Sequence, residues 1–289
     1  MTSRPQTKTS QQQQDDLDEA QAGWLRELHA GYRRRARRRT IAVHAVQLAL
    51  LALFLAWWEA AGRWGWIDVL LFSYPSRIAD QLWSTLLDGT LPPHIGVTVT
   101  ETIVGFLLGT IGGALLAALL WWFPFVSRVA DPYLVVLNSM PKVALGPIFI
   151  VSLGPGFLSI VATTLSITVI ITTLVIYNRF REVDPHYIKV LQLFGATRGQ
   201  VFRLTVLPDS YPVIISTLKV NVGLAWIGVI VGEFLVAKAG LGYLIIYGFQ
   251  VFNFTLVLSS LIVIAVVAAL MYQAVALVER RLMAGWKER

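Results

Sequence analysis

Six apolar segments, each about 20 residues long or longer, constrain the fold of this 289-residue chain more than any other feature. A helix needs about 20 mainly apolar residues to cross the hydrocarbon core of a bilayer. Backbone polar groups in lipid must be satisfied within the spanning structure, and a helix does this within one segment. The sequence therefore predicts an all-α, multi-pass membrane protein with six transmembrane helices. The segments are approximately residues 41–61, 97–123, 132–153, 157–177, 212–237 and 254–278.

Composition and charge agree with this prediction and exclude several other classes of protein. Only 14% of the residues are charged and 56% are hydrophobic, whereas about a quarter are charged in a typical soluble domain. The net charge of +7 does not indicate nucleic-acid binding, because the basic residues flank apolar segments and form no basic groove with interleaved aromatic residues. The absence of cysteine excludes disulfides, thiolate metal sites and cysteine nucleophiles.

Basic residues divide unequally between the two sides of the predicted spans. Cytoplasmic loops are enriched in lysine and arginine. With the amino terminus inside, sixteen basic residues flank the spans on the cytoplasmic side and three lie in the outer segments. Both termini and the loop 178–211 are therefore expected to be cytoplasmic. The sixteen are Arg33, Arg34, Arg35, Arg37, Arg38, Arg39, Arg128, Arg179, Arg181, Lys189, Arg198, Arg203, Arg280, Arg281, Lys287 and Arg289, and the three are Arg63, Arg77 and Lys238.

The domain organisation follows from these segments. Residues 1–40 form a polar, then arginine-rich cytoplasmic tail, which we expect to be solvated and to contact anionic membrane lipid through its arginines. Residues 41–282 form the transmembrane domain, including the loop 178–211, and residues 283–289 form a short cytoplasmic tail. Trp121 and Trp122 fall at a span end, as an interfacial aromatic belt requires.

The sequence contains no motif that indicates catalysis. It has no phosphate-binding Gly-x-x-x-x-Gly-Lys-Ser/Thr loop, no His-Glu-x-x-His and no Gly-x-Ser-x-Gly, and its four histidines are scattered. We therefore expect no catalytic residues, no metal site and no bound cofactor.

Small residues recur on one face of the second span. Gly105, Gly109 and Gly113 are spaced four residues apart, which permits close approach of another helix. The pattern favours packing within the chain, and a seam between subunits is the alternative.

The loop 178–211 has the pattern of a short helix, a turn and a stop. Asp184-Pro185 indicates a helix start, and Tyr187, Val190, Leu191 and Phe194 form an apolar stripe at helical spacing. Gly195 suits a left-handed helix end. A second apolar patch follows in residues 200–207 and is predicted to stop at Pro208. Such a knob fits a groove on a partner protein, and a helix lying on the membrane surface is equally consistent with the pattern.

Several motifs give the chain a family resemblance. Gly195, nine residues, then Thr205-x-Leu207-Pro208 resembles the coupling motif of ATP-binding-cassette importer permeases, which reads Glu-Ala-Ala, three residues, Gly, nine residues, Ile-x-Leu-Pro. The chain departs from it with Lys189, Val190 and Leu191 at the Glu-Ala-Ala positions and Thr205 at the Ile position. Further similarity to the nitrate, sulfonate and taurine permease subfamily lies in residues 74–76, 139–147, 194–198, 232–234 and 240–244.

The resemblance, which covers roughly residues 70–282, implies a type I importer fold and a set of partners. Two permease subunits, here expected to be identical, pair in the plasma membrane, the inner membrane of a bacterium. Each receives an ATPase subunit that uses ATP and magnesium, and an extracytoplasmic solute-binding protein docks outside. The predicted ATPase-coupling residues are Lys189, Leu191, Phe194, Gly195, Ala196, Thr197, Arg198, Phe202, Leu207 and Pro208.

Polar residues inside the spans indicate a solute path. Lys142 lies deep in the third span, in a stretch interrupted by prolines and a glycine, where free backbone groups can line a cavity. With Asn138, Ser139 and Asn221, it is predicted to face a path for an anionic solute such as a sulfonate, nitrate or taurine. Glu101, Lys219 and Glu233 are expected to be paired locally or to reach water. The same machine could import a thiamine- or riboflavin-related precursor or another organic acid. More distant alternatives are a secondary transporter and a membrane scaffold.

Overall fold

A computed structural model describes residues 39–287, with side chains over residues 39–284. The predicted tail 1–40 lies almost wholly outside the described residues. Within residues 39–287 every regular element is helical. The α-helices are α1 (Arg39–Arg63), α2 (Val69–Phe72), α3 (Pro75–Leu87), α4 (Leu91–Trp122), α5 (Pro124–Ser139), α6 (Gly146–Leu153), α7 (Phe157–Arg181), α8 (Pro185–Leu193), α9 (Arg198–Val201), α10 (Leu207–Val236), α11 (Leu241–Gln250) and α12 (Phe254–Lys287). A 3₁₀-helix spans Lys142–Leu145, and a π-helix spans Phe202–Val206.

Helix α1 belongs to one compact unit, and helices α2 to α12 form another. The apolar side chains of α1 are exposed over residues 39–57: Leu48 and Leu53 retain 67% and 69% of their accessible surface. Exposed leucines along 25 helical residues are what a helix surrounded by lipid presents.

Five of the six predicted spans are single helices of sufficient length and apolar character. These are Arg39–Arg63, Leu91–Trp122, Phe157–Arg181, Arg198–Val236 and Phe254–Ala284. The third predicted span, over residues 132–153, is a bent pair of helices that together have the length and apolar character of one span. Helix α5 ends at Ser139, and the following Lys142–Leu153 turns away by 94°. Pro141 explains the break, because the residue before a proline is driven out of the α region, and Met140 is extended at φ −71° and ψ 139°.

Helix α7 lies at the centre of the second unit, between α4 and α10. The glycine face of α4 packs on its threonines: a Cβ added to Gly105 would lie 2.5 Å from Thr164 Cγ2, and one added to Gly113 would lie 2.5 Å from Thr172 Cβ. The structure thus places this face against a helix of the same chain. The threonine hydroxyls are satisfied along α7, since Thr164 donates to Ile160 O and Thr168 donates to Thr164 O. These polar side chains can therefore be buried at little cost.

Candidate functional site: the coupling segment and the polar bend

Helix α8 begins and ends where the sequence predicts. Asp184 caps it by accepting a hydrogen bond from the His186 amide at 2.8 Å, and hydrogen bonds from the backbone and side chain of His186 hold the pKa of this carboxyl below its ordinary value. Gly195 takes the left-handed conformation, with φ +78°, and the Ala196 amide donates to Leu191 O at 3.0 Å. The helix and the glycine turn are therefore confirmed.

The end of the segment differs from the prediction. Thr197 and Gln200 form a capping box that starts α9, and the chain then runs through the π-helix into α10 without a stop at Pro208. The Leu207 amide bonds to Phe202 O, five residues back. This wider turn places Pro208 in the first turn of α10, where a missing amide proton costs little. Pro208 therefore starts a helix and does not close the knob.

Residues 185–208, which we call the coupling segment, present apolar side chains to the outside. Leu193 and Phe194 each retain 86% of their accessible surface. Beside them lies an open groove of about 410 Å³. Its lining residues are Tyr187, Val190, Leu191, Leu204, Thr205, Pro208 and Asp209. Of the predicted coupling residues, Lys189, Phe194, Gly195, Thr197, Arg198, Leu207 and Pro208 are exposed, whereas Leu191, Ala196 and Phe202 are partly buried.

The inner side of the coupling segment is anchored to the ends of α4 and α7. The Phe202 ring lies 5.0 Å from the Trp121 ring and 5.5 Å from the Phe180 ring, between centroids. Arg198 Nη2 donates to Trp121 O at 2.8 Å, and its guanidinium lies 5.2 Å from the centroid of the Trp121 ring. The sequence predicts for Trp121 only a place in an interfacial belt. The signal in the sequence that could have indicated this contact is the pair of adjacent tryptophans, Trp121 and Trp122, together with Arg198 and Phe202 in the loop.

The bend between α5 and the 3₁₀-helix brings together three of the four predicted path residues. Lys142 Nζ donates to Asn138 O at 2.8 Å, and Ser139 Oγ donates to Val135 O at 2.9 Å. The ammonium group thus satisfies a carbonyl at the end of α5, where the helix dipole also favours a cation. Lys142 is half-buried, and Asn138 and Ser139 are exposed.

Asn221 lies apart from this group, in the packed centre of the bundle. It is fully buried, and its Nδ2 donates to Thr110 Oγ1 and to Thr172 Oγ1, both at 2.8 Å. The amide therefore joins α4, α7 and α10, and in this structure it faces these helices and no open path. Lys219 pairs with Glu279 of α12, as expected of local pairing.

The comparisons with known proteins identify the class. The family model of the binding-protein-dependent transport system inner membrane component matches residues 105–284, and the chain belongs to this family. It is 28% identical over 239 residues to the putative aliphatic sulfonates transport permease protein SsuC of Bacillus subtilis, covering 82% of this chain and 86% of SsuC. It is 34% identical over 150 residues to the formylaminopyrimidine transport permease protein ThiX of Halalkalibacterium halodurans, covering 52% of this chain and 60% of ThiX.

A solved structure of a bacterial ABC transporter involved in the import of the acidic polysaccharide alginate has the same fold. The TM-score is 0.59 at 17% identity, over 84% of this chain and 96% of that one. The chain is thus an ABC importer permease subunit of the inner membrane, with the type I fold. The expected family and fold are confirmed.

Proposed function

We propose that this chain forms the membrane path of an ATP-driven importer for a small anionic solute, and that its coupling segment receives the ATPase subunit. The observation that carries the proposal is the pair of exposed apolar side chains, Leu193 and Phe194, on a segment whose inner side packs against the ends of α4 and α7. An isolated apolar knob is costly to leave in water, and burial in a partner groove relieves that cost.

The anchor explains how such docking could move the membrane domain. Phe202 and Arg198 attach the segment to Trp121 at the end of α4. A displacement imposed on the knob would therefore be passed to a helix that runs 32 residues from the coupling segment to the opposite end of the bundle. Rigid-body rocking of packed helices is an established form of such transitions. The ATPase subunits would bind and hydrolyse ATP with magnesium, and this chain would hydrolyse nothing.

Lys189 gives the proposed contact an unusual charge. The coupling motif of ATP-binding-cassette importer permeases has a glutamate at this position, whereas this chain has an exposed lysine there, on α8. A lysine favours a carboxylate opposite it and disfavours a basic partner. We therefore expect the groove of the matching ATPase to present an acidic residue to Lys189.

The anionic solute is supported by the similarity to SsuC and by Lys142 at the polar bend. A sulfonate such as taurine, or nitrate, would find there a cation and two exposed polar side chains, Asn138 and Ser139. The similarity to ThiX favours a second candidate, a pyrimidine precursor of thiamine. An extracytoplasmic binding protein and a second, identical permease subunit complete the proposed assembly.

The docking proposal is tested by substituting Leu193→Ala and Phe194→Ala together and measuring the affinity of the purified permease for its ATPase. Fully burying one such side chain is worth about 1.5–3 kcal/mol, so the double variant should bind at least about tenfold more weakly. Phe72→Ala is the matched control, because Phe72 is 57% exposed at the end of α2, near the start of α12, where Ser73 hydrogen-bonds to Thr255. Equal affinity of the double variant and the control would refute the proposed docking surface.

A further inference from the structure

A buried polar cluster joins α4, α10 and α11 at the end of the bundle opposite the coupling segment. Helix α11 begins at Leu241 after Gly240. Glycine has no side chain that could cap the amides of the first turn, which lack partners within the helix. Side chains from other helices supply the caps. Gly240 N donates to His94 Nδ1 at 2.9 Å, Leu241 N donates to Thr98 Oγ1 at 2.7 Å, and Gly242 N donates to Glu233 Oε2 at 2.5 Å.

Glu233 is the centre of this cluster. Its side chain is almost fully buried, with 1% of the residue exposed. Beyond Gly242, it accepts a hydrogen bond from Thr98 Oγ1, at 2.6 Å to Oε1. The carboxyl also lies so close to Gly240 and Gly242 that a Cβ at either position would collide with it. Donors on both oxygens and the positive end of a helix are the surroundings that stabilise an ionised carboxylate.

Glu101 places a second carboxyl group against the first. It is 3% exposed and lies one turn along α4 from Thr98, whose hydroxyl donates to Glu233, so the two carboxyl groups are neighbours in the same buried cluster. Its Oε2 is buried and has no hydrogen-bond partner among the described residues. A buried charged oxygen without a donor is expensive, whereas the carbonyl oxygen of a neutral acid is far less so. Two carboxylates in contact would also repel each other.

We propose that Glu101 is a proton-binding site, and that the proton it donates to ionised Glu233 locks α11 to α4 and α10. One proton then accounts for both carboxyl groups. Glu233 keeps its negative charge and accepts from α11, and Glu101, being neutral, buries no charge on the oxygen that lacks a donor. A bound cation fits the geometry less well, because the oxygens of Glu233 are already engaged by the hydroxyl and amide donors.

The other titratable groups near this pair do not replace the proton. His94 on α4 accepts from Gly240 N through Nδ1, so its ring is neutral in this arrangement and its remaining proton is on Nε2. Tyr243 on α11 stacks on that ring at 5.8 Å between centroids. The first turns of α7 contain threonine and isoleucine but no charged side chain. The charged residues of this helix, Arg179 and Arg181, lie in its last turn, at the opposite end.

Loss of the proton would leave two neighbouring buried negative charges, and separation of α4 from α10 would relieve their repulsion. Leu244 and Tyr247 of α11 line a cavity of about 230 Å³. The other walls include Gln81 of α3, His94 of α4 and Ser260 of α12. Release of α11 would therefore open this cavity. None of these residues belongs to the coupling segment or to its anchor on Trp121 and Phe180.

The test is infrared spectroscopy of the purified protein at neutral pH in H₂O and D₂O. A protonated carboxyl gives a carbonyl-stretch band that shifts on deuteration, and we expect the Glu101→Gln variant to lose that band. Hydrogen–deuterium exchange gives the second readout. Glutamine can still donate to Glu233, so E101Q should leave exchange of the amides at 241–243 within about twofold of the unmodified protein. Glu233→Gln should raise it about tenfold or more, because charge-assisted hydrogen bonds are lost.

Three results would overturn the inference. These are a band absent from the unmodified protein, a band unchanged in E101Q, and an exchange increase in E101Q equal to that in E233Q. The last result would mean that the charge of Glu101 is required. If E233Q fails to fold, the infrared comparison of the unmodified protein with E101Q still decides the question.

Discussion

Replacing Gly105 with alanine should destabilise the bundle, because the new methyl group has no room. Its carbon would lie 2.5 Å from Thr164 Cγ2 and 3.0 Å from Thr164 Cβ. Thr164 cannot move away, since α10 closes on its other side: a Cβ at Gly228 would lie 2.6 Å from Thr164 Cα. The substitution therefore wedges α4 from α7, and overpacking of this kind typically costs about 1–3 kcal/mol.

Gly112→Ala provides the matched control on the same helix. Its added carbon would meet Val169 Cγ2 at 3.7 Å, which is ordinary contact. Both variants gain about the same helix propensity, up to about 1 kcal/mol, so the difference between them isolates the packing cost. We expect Gly105→Ala to be less stable than Gly112→Ala by about 1–3 kcal/mol.

The assay is equilibrium unfolding of the purified protein in mixed detergent micelles, followed by tryptophan fluorescence. Thr164→Ser supplies a rescue, because serine lacks Cγ2 and keeps the hydroxyl that donates to Ile160 O at 3.0 Å. The double variant should recover part of the lost stability. If Gly105→Ala and Gly112→Ala unfold alike, or if Thr164→Ser brings no recovery, the close packing of α4 on α7 is refuted.

Three further predictions concern the bend and the coupling segment. Lys142→Gln should impair solute uptake and leave assembly with the ATPase intact, as transport and co-purification assays would show; uptake equal to that of the unmodified protein would remove Lys142 from the path. Gly195→Val should weaken ATPase binding, because a β-branched residue is strained at φ +78°; a pull-down that recovers as much ATPase as the parent would contradict this. The pKa of Asp184 lies below its ordinary value of 3.8, so the α8 cap should be complete above pH 3.8 and lost as pH falls through the lower, folded value. An NMR titration of the His186 amide would report the loss, and in Asp184→Ala the amide should show no such transition.

Local signals in the sequence were sufficient for much of the fold. Long apolar segments define the spans, and Asp184-Pro185 and Gly195 define the ends of α8, because each acts through its own backbone. Pro141 indicated a break, yet the 94° turn depends on how the following residues pack. Pro208 was misread because a π-turn, which has no local sequence signature, places it in the first turn of a helix.

The interior contacts could not be read from the sequence. The sequence predicts Asn221 on a polar path, whereas its partners Thr110 and Thr172 come from helices distant along the chain. Glu233 was expected to be paired locally or to reach water, whereas it caps α11 from within the bundle. Both cases depend on which helix faces bring polar groups together, and span assignment alone leaves that undetermined.

The central claim is that ATP hydrolysis by a partner drives solute through this chain. The most direct measurement is uptake of radiolabelled taurine, with the pyrimidine precursor as a second solute, into proteoliposomes that contain the permease, its ATPase and its binding protein. Uptake should require all three proteins and ATP, and should fall in the Leu193→Ala, Phe194→Ala variant. Uptake by the permease alone, driven by an ion gradient without ATP, would contradict the account.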